Sequence, residues 1–167
     1  RGMSEELPPG WARVALGEIG EINPRHPSIL PDSLLVSFAP MPKLSADCPA
    51  LELLEQRPYG EVRKGFTHFA EGDILFAKIT PCMENGKIAV APALKNGWGF
   101  GSTEFHVIRA LEGINPKFLY YFVSSQHFRF DAEHNMVGAV GQRRVPTGYL
   151  SDCVIHIPPT NEQHRIV

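Results

Sequence analysis

The stretch DILFAKITPCMENGKIAVA, residues 73–91, decides the architecture. Asp73 to Thr80 is a mostly apolar run that reads as a strand. It stops at Pro81, which has no N–H to give to a ladder. Lys87 to Ala91 reads as a second strand. Between them, Pro81-Cys82-Met83-Glu84-Asn85-Gly86 closes on Asn-Gly, a dipeptide suited to the positive φ of a tight turn. The segment is therefore a β-hairpin with a six-residue tip.

Working outward, Glu104 to Arg109 alternates and predicts another strand. Asn115-Pro116 is a helix start, with Asn as N-cap and Pro at the first helical position. The helix over residues 116–127 is rich in Phe, Leu, Tyr and Val, so it is expected to be largely buried, and a second helical stretch runs on to about His134. Met136 to Arg144 is broken by glycine and reads as a loop. Val145-Pro146 opens a short turn, and Cys153 to Ile157 is a last strand. Thr160-Asn161-Glu162-Gln163 has the form of a capping box, with Thr160 as N-cap. Upstream, Leu7 to Trp11 reads as extended lead-in, Ser33 to Phe38 as a strand and Ala50 to Gln56 as a short helical turn. Gly97-Trp98-Gly99-Phe100-Gly101 predicts a flexible turn with aromatic packing. A nucleotide loop of that look needs a strand before it and a helix after it, whereas a strand follows here.

The 167 residues suit one domain, and fifteen prolines with fifteen glycines favour short elements. Arg1-Gly2 ahead of Met3 reads as a cloning remnant. The fold class expected is α/β in the α+β sense: a single globular domain on a twisted, β-rich sheet with a few short helices. No apolar run approaches the ~20 residues that span a bilayer, so no membrane partner is expected. Cys48, Cys82 and Cys153 are an odd number at wide spacing, which argues against a disulfide framework and for a reducing, cytoplasmic setting. They also lack metal-ligand spacing, so neither metal nor cofactor is expected.

Charge is uneven. Residues 1–56 carry four basic and eight acidic side chains, residues 57–109 seven and five, and residues 110–167 five of each. The middle third is thus mildly basic, with Arg63, Lys64, Lys78, Lys87 and Lys95. A binder held mainly by phosphate contacts is usually far more basic, so if the chain binds DNA a partner would supply part of the attraction. Catalytic signals are missing: no nucleophile elbow frames a serine. Ile157-Pro158-Pro159-Thr160 lacks the polar and aromatic ends with which an amino-methyltransferase holds a flipped base. The seven histidines, among them His68, His106 and His156, occur singly.

Glu71 to Val90 resembles the central signature of target recognition domains in the specificity subunits of Type I restriction-modification enzymes. So do Gly99 to Phe105, Val137 to Pro146, and Ile157-Pro158-Pro159 with Glu162-Gln163 and Arg165-Ile166-Val167. Pro9-Gly10-Trp11 and Leu16-Gly17-Glu18 fit as well. The resemblance implies a recognition domain over residues 3–158 and the start of a truncated spacer helix over 159–167. It further implies a non-catalytic reader of one half of a bipartite double-stranded DNA target. Modification subunits would methylate adenine with S-adenosylmethionine, and restriction subunits would translocate and cleave.

Two loops are the candidate DNA-binding site. Lys78, Thr80, Glu84, Asn85 and Lys87 belong to the hairpin tip and its flanks, where Lys can meet phosphate or guanine and Asn can pair with adenine. Gln142, Arg143 and Arg144 follow Gly138 and Gly141, which let backbone approach a phosphate closely. The competing readings are a tight structural turn for the first loop and solvated or internally docked charges for the second. An alternative for the whole chain is a subunit-docking module, its acidic first third facing a basic partner.

Overall fold

The structure is a computed structural model that describes residues 6–26, 29–47, 50–51 and 53–167. Arg1-Gly2 and Cys48 lie outside these residues. The chain begins with β1 (Ala12–Ala15), the single turn α1 (Leu16–Ile19) and β2 (Gly20–Ile22). β3 (Leu35–Ala39), β4 (Glu55–Pro58), α2 (Tyr59–Val62) and β5 (Thr67–Phe69) follow. The hairpin is β6 (Ile74–Ala77) and β7 (Ile88–Val90), and then come β8 (Gly99–Gly101) and β9 (Phe105–Ala110). The remainder is α3 (Pro116–Ser124), α4 (Gln126–His134), α5 (Thr147–Asp152), β10 (Val154–Ile157) and α6 (Thr160–Ile166).

Among the described residues three sheets result. The central one has the order β2-β9-β6-β7 and is antiparallel throughout. The second has the order β4-β3-β8-β5, with β3 and β8 parallel. β1 and β10 form a two-stranded ribbon.

The burial of β6 explains its unbroken apolar run. Ile74 and Phe76 face a core shared with Leu119, Val123, Phe128 and Ala132 of α3 and α4, while Leu75 faces a second core with Phe69, Phe105 and Val107. A strand covered on both faces has no reason to alternate. α3 is capped as predicted, the Asn115 side chain accepting from the Lys117 N–H at 2.9 Å. It stops at Ser124 because Ser125 is extended and caps α4 in turn, accepting from the Phe128 N–H at 3.2 Å.

The described residues correct several expectations. The described residues of the Ala50 to Gln56 stretch are not helical: Ala50 bridges Val90 and Glu55 begins β4. Leu7 to Trp11 is not simply extended, since Trp11 N–H turns back to Pro8 O at 3.0 Å. Val145-Pro146 leads into α5 rather than only a turn. Gly99-Phe100-Gly101 is an inner strand, not a flexible turn, because β8 pairs with both β3 and β5. The capping box does not form. Pro159 is the N-cap, Thr160 Oγ1 donates to Gly113 O at 2.8 Å, and Gln163 is buried. Gln163 accepts from the Asn115 N–H at 2.8 Å and donates to Pro158 O at 3.0 Å, fastening α6 to the start of α3.

A half-buried imidazole, His68, and a buried one, His106, make stability depend on pH. Burial pulls the His68 ring down to about 4, against a hydrogen bond to Gly99 O. Burial also lowers His106, which sits between Asn23 and Val145 O. Both rings are therefore neutral in the folded domain at pH values where the unfolded chain takes up protons. The stability these two rings contribute is present above the ordinary histidine value of about 6.5 and is lost as pH falls from there towards 4. Urea unfolding at pH 7 and pH 5 is expected to show a lower midpoint at pH 5, and His68→Phe to make that dependence shallower. An unchanged slope in the variant would remove His68 from the account.

Candidate nucleic-acid interface

The two loops singled out from the sequence meet in space. Beyond Ala77 the chain leaves the central sheet but keeps pairing. Thr80 N–H donates to Arg143 O at 2.9 Å, Val145 N–H donates to Lys78 O at 2.8 Å, and Ile79 bridges Arg144. Arg144 in turn exchanges backbone hydrogen bonds with Val137, at 2.9 and 3.0 Å. Residues 78–80, 143–145 and 137 therefore make a small ladder at the end of the hairpin. It forms because β6 runs out of sheet partners there, and buried backbone groups must still be paired.

The hairpin tip is folded back rather than projecting freely. Met83 is fully buried in the helical core. Asn85 N–H donates to Pro81 O at 3.0 Å and Lys87 N–H to Cys82 O at 3.1 Å, winding residues 81–87 into successive turns. Gly86 takes the positive φ expected of it. From α4, Arg129 Nη1 donates to Glu84 O at 2.7 Å and clamps the tip. The Thr80 hydroxyl donates to Glu84 Oε1 at 2.5 Å. Thr80 and Glu84 are thus tied to each other inside the loop, while the second carboxylate oxygen of Glu84, Oε2, is buried without a hydrogen-bond partner among the described residues.

Arg144 is engaged as well. Its Nε and Nη2 each donate to the Glu104 carboxylate at 2.8 Å, and its Nη1 donates to Gln142 O at 3.1 Å. The Arg144 hydrogen bonds hold the Glu104 carboxyl below its ordinary range, and Lys78 adds to the positive field there. This pair joins the second loop to the start of β9. His106 reinforces it from beneath: its Nε2 bonds Val145 O at 2.7 Å and its Nδ1 bonds Asn23 Nδ2 at 3.1 Å. Donation from Nε2 and acceptance at Nδ1 is the neutral tautomer that satisfies both.

Lys78, Lys87 and Arg143 form no ion pair among the described residues. Asn85 and Gln142 are exposed. Of the eight predicted residues, five therefore present unengaged side chains on two connected loops, while Thr80, Glu84 and Arg144 hold those loops in shape. Sequence reasoning missed Arg129, Glu104, His106 and Asn23. Only Asn23 lies in a suggestive local context, the Asn-Pro step before Pro24; the other three act through contacts distant in sequence. Among the described residues, no group of His, Cys, Asp and Glu could hold a metal ion. No helix there is long and apolar enough to cross a membrane.

Fold and site together define a small α+β domain whose two cation-bearing loops are stitched into one surface at the end of its central hairpin. The chain belongs to the family described as Type I restriction modification DNA specificity domain, which residues 8–167 match. Over 163 residues it is 42% identical to the Type I restriction enzyme EcoEI specificity subunit of Escherichia coli, covering 97% of this chain and 27% of that protein. It is 44% identical to the EcoAI specificity subunit of the same organism, covering 97% and 28%. The chain thus spans about a quarter of the length of these curated relatives. The crystal structure of the HsdS subunit from Thermoanaerobacter tengcongensis shares the fold, with a TM-score of 0.73, 23% identity, and coverage of 98% of this chain and 42% of that one. A chain from a study of complex assembly and conformational transition of the type I R-M system also has a TM-score of 0.73, at 24% identity, covering 96% and 41%.

Proposed function

We propose that this domain reads one half of a bipartite double-stranded DNA target, as part of a specificity subunit that directs adenine methylation and restriction carried out by partner subunits. The observation that carries the reading is the joining of the 78–87 and 137–145 segments by paired backbone. That joint gives Lys78, Lys87 and Arg143 to phosphates on a rigid base, with Asn85 and Gln142 placed to meet base edges. Such a division of labour is general, since phosphate contacts fix register while groove contacts carry the sequence information. Thr80, Glu84 and Arg144, first read as contacts, are better assigned to positioning. The domain has no catalytic role of its own. Modification and restriction subunits supply the methyl donor and ATP chemistry, with the assembly working on cytoplasmic DNA. Residues 3–158 form the reader, and residues 159–167 begin a helix that carries it.

Exchange of this domain for the corresponding domain of another specificity subunit tests the proposal. Mapping methylated adenines in cells with the exchanged enzyme is expected to show one half of the motif changed and the other kept. An unchanged motif would favour the docking-module alternative.

A further inference from the structure

The tip of the second loop is apolar and uncovered. Val140 is 98% exposed and Val137 61%, and Ala139 beside them is exposed too. Isolated surface aliphatics are common, but this group occupies a narrow, well-anchored turn. Gln142 N–H donates to Ala139 O at 2.9 Å, closing a four-residue turn over Ala139-Val140-Gly141-Gln142. Gly141 at its third position has φ 79°, the left-handed value that a type II turn requires there. Val140 is therefore held at the corner, pointing away from the domain's own cores.

The base of this turn is fixed from three sides. Val137 and Arg144 exchange backbone hydrogen bonds at 3.0 and 2.9 Å, Thr80 holds Arg143 O, and Glu104 grips the Arg144 guanidinium at 2.8 Å. The surroundings also have a sign. At the base of the turn Arg143, Arg144 and Lys78 stand against Glu104, which pairs with Arg144, so the excess charge is cationic. A protein-docking patch would be broader and continuous. A small aliphatic corner between cations suits a DNA groove, where the major groove is about 12 Å wide and only the thymine methyl offers an apolar contact.

We infer that Val140 is a specificity-determining residue that enters the major groove and packs its methyl groups against the C5-methyl of a thymine in the half-site. Arg143 and Lys78 hold the flanking phosphates, and the Arg144–Glu104 pair sets how far the turn projects. This rests on the DNA-reading role proposed above.

The test uses the full-length subunit assembled with its partners and a fluorescent duplex bearing the mapped methylation motif. Each thymine of the half-site is replaced singly by uracil, which removes only the methyl group. The wild-type assembly is expected to lose about four- to tenfold in affinity at one such position. Val140→Ala is expected to show a similar loss on the thymine duplex and no further loss on the uracil duplex at that position. Val140→Thr, which keeps the shape and replaces a methyl by a hydroxyl, should fall between. Equal losses by Val140→Ala on every duplex, or no loss, would overturn the contact. Failed subunit assembly with DNA affinity intact would replace it by a protein partner. A wild-type assembly that does not distinguish target from non-target duplex would instead bring down the DNA-reading role itself, and the contact with it.

Discussion

Gly101→Ala is expected to destabilise the domain by about 3 kcal/mol or more, enough to remove much of the stability of a typical domain. A Cβ at this position would collide with the Ala39 carbonyl oxygen and lie 2.9 Å from the Phe105 ring. The ring could shift, but the carbonyl cannot. It belongs to β3, locked in register with β8 through the Ala39–Gly101 pair, and β8 is itself held between β3 and β5. Gly97 provides the control from the same glycine-rich segment. It lies in a turn at φ 77° with nothing within 4 Å of the position its Cβ would take. Gly97→Ala therefore carries only the cost of a left-handed residue, about 1–2 kcal/mol. Urea unfolding followed by circular dichroism measures both. Equal midpoints for the two variants would show that Gly101 is not in the tight inner strand described.

The second large effect concerns DNA. In the full-length assembled subunit, joint replacement of Lys78, Lys87 and Arg143 by alanine is expected to weaken duplex binding by on the order of 10²–10³-fold near 0.1 M salt. The slope of log affinity against log salt should become shallower by roughly three, close to one for each lost phosphate contact. Target and non-target duplexes should weaken alike, because phosphates carry no sequence information. Arg144→Ala should behave differently, since its guanidinium is held by Glu104. It should blunt discrimination between duplexes and leave the salt slope nearly intact. A triple variant with an unaltered salt slope would show that the cations face elsewhere.

The contrast between Arg143 and Arg144 marks the limit of what the sequence could reveal. The two are adjacent and chemically identical, and the readings left open for them were phosphate contact or internal docking. The structure separates them through Glu104, forty residues away, which takes one and leaves the other. The glycine-rich segment has the same lesson. Gly97 to Gly101 looks like a turn because glycine weakens a strand. Here two of its glycines are needed so that β8 can pass against Phe69 and Ala39. Nothing local announces that, nor that Arg129 would clamp the tip at Glu84.

What was legible depended on local chemistry. The hairpin of β6 and β7, the β9 and β10 strands and the Asn115-Pro116 start of α3 follow from apolar runs, turn residues and a cap whose causes lie within a few residues. The motif order, read on the same footing, pointed to the family that residues 8–167 match. The pairing of sheets, the joining of the two loops and the division of their side chains into positioning and unpaired groups follow from contacts between residues distant in sequence. Those contacts depend on which backbone groups the strands and helices leave unpaired. For residues 73–91 the sequence determined that a hairpin forms. The tertiary structure decided that its tip folds back onto α4, because Met83 has an apolar core to enter and Glu84 O finds a donor in Arg129.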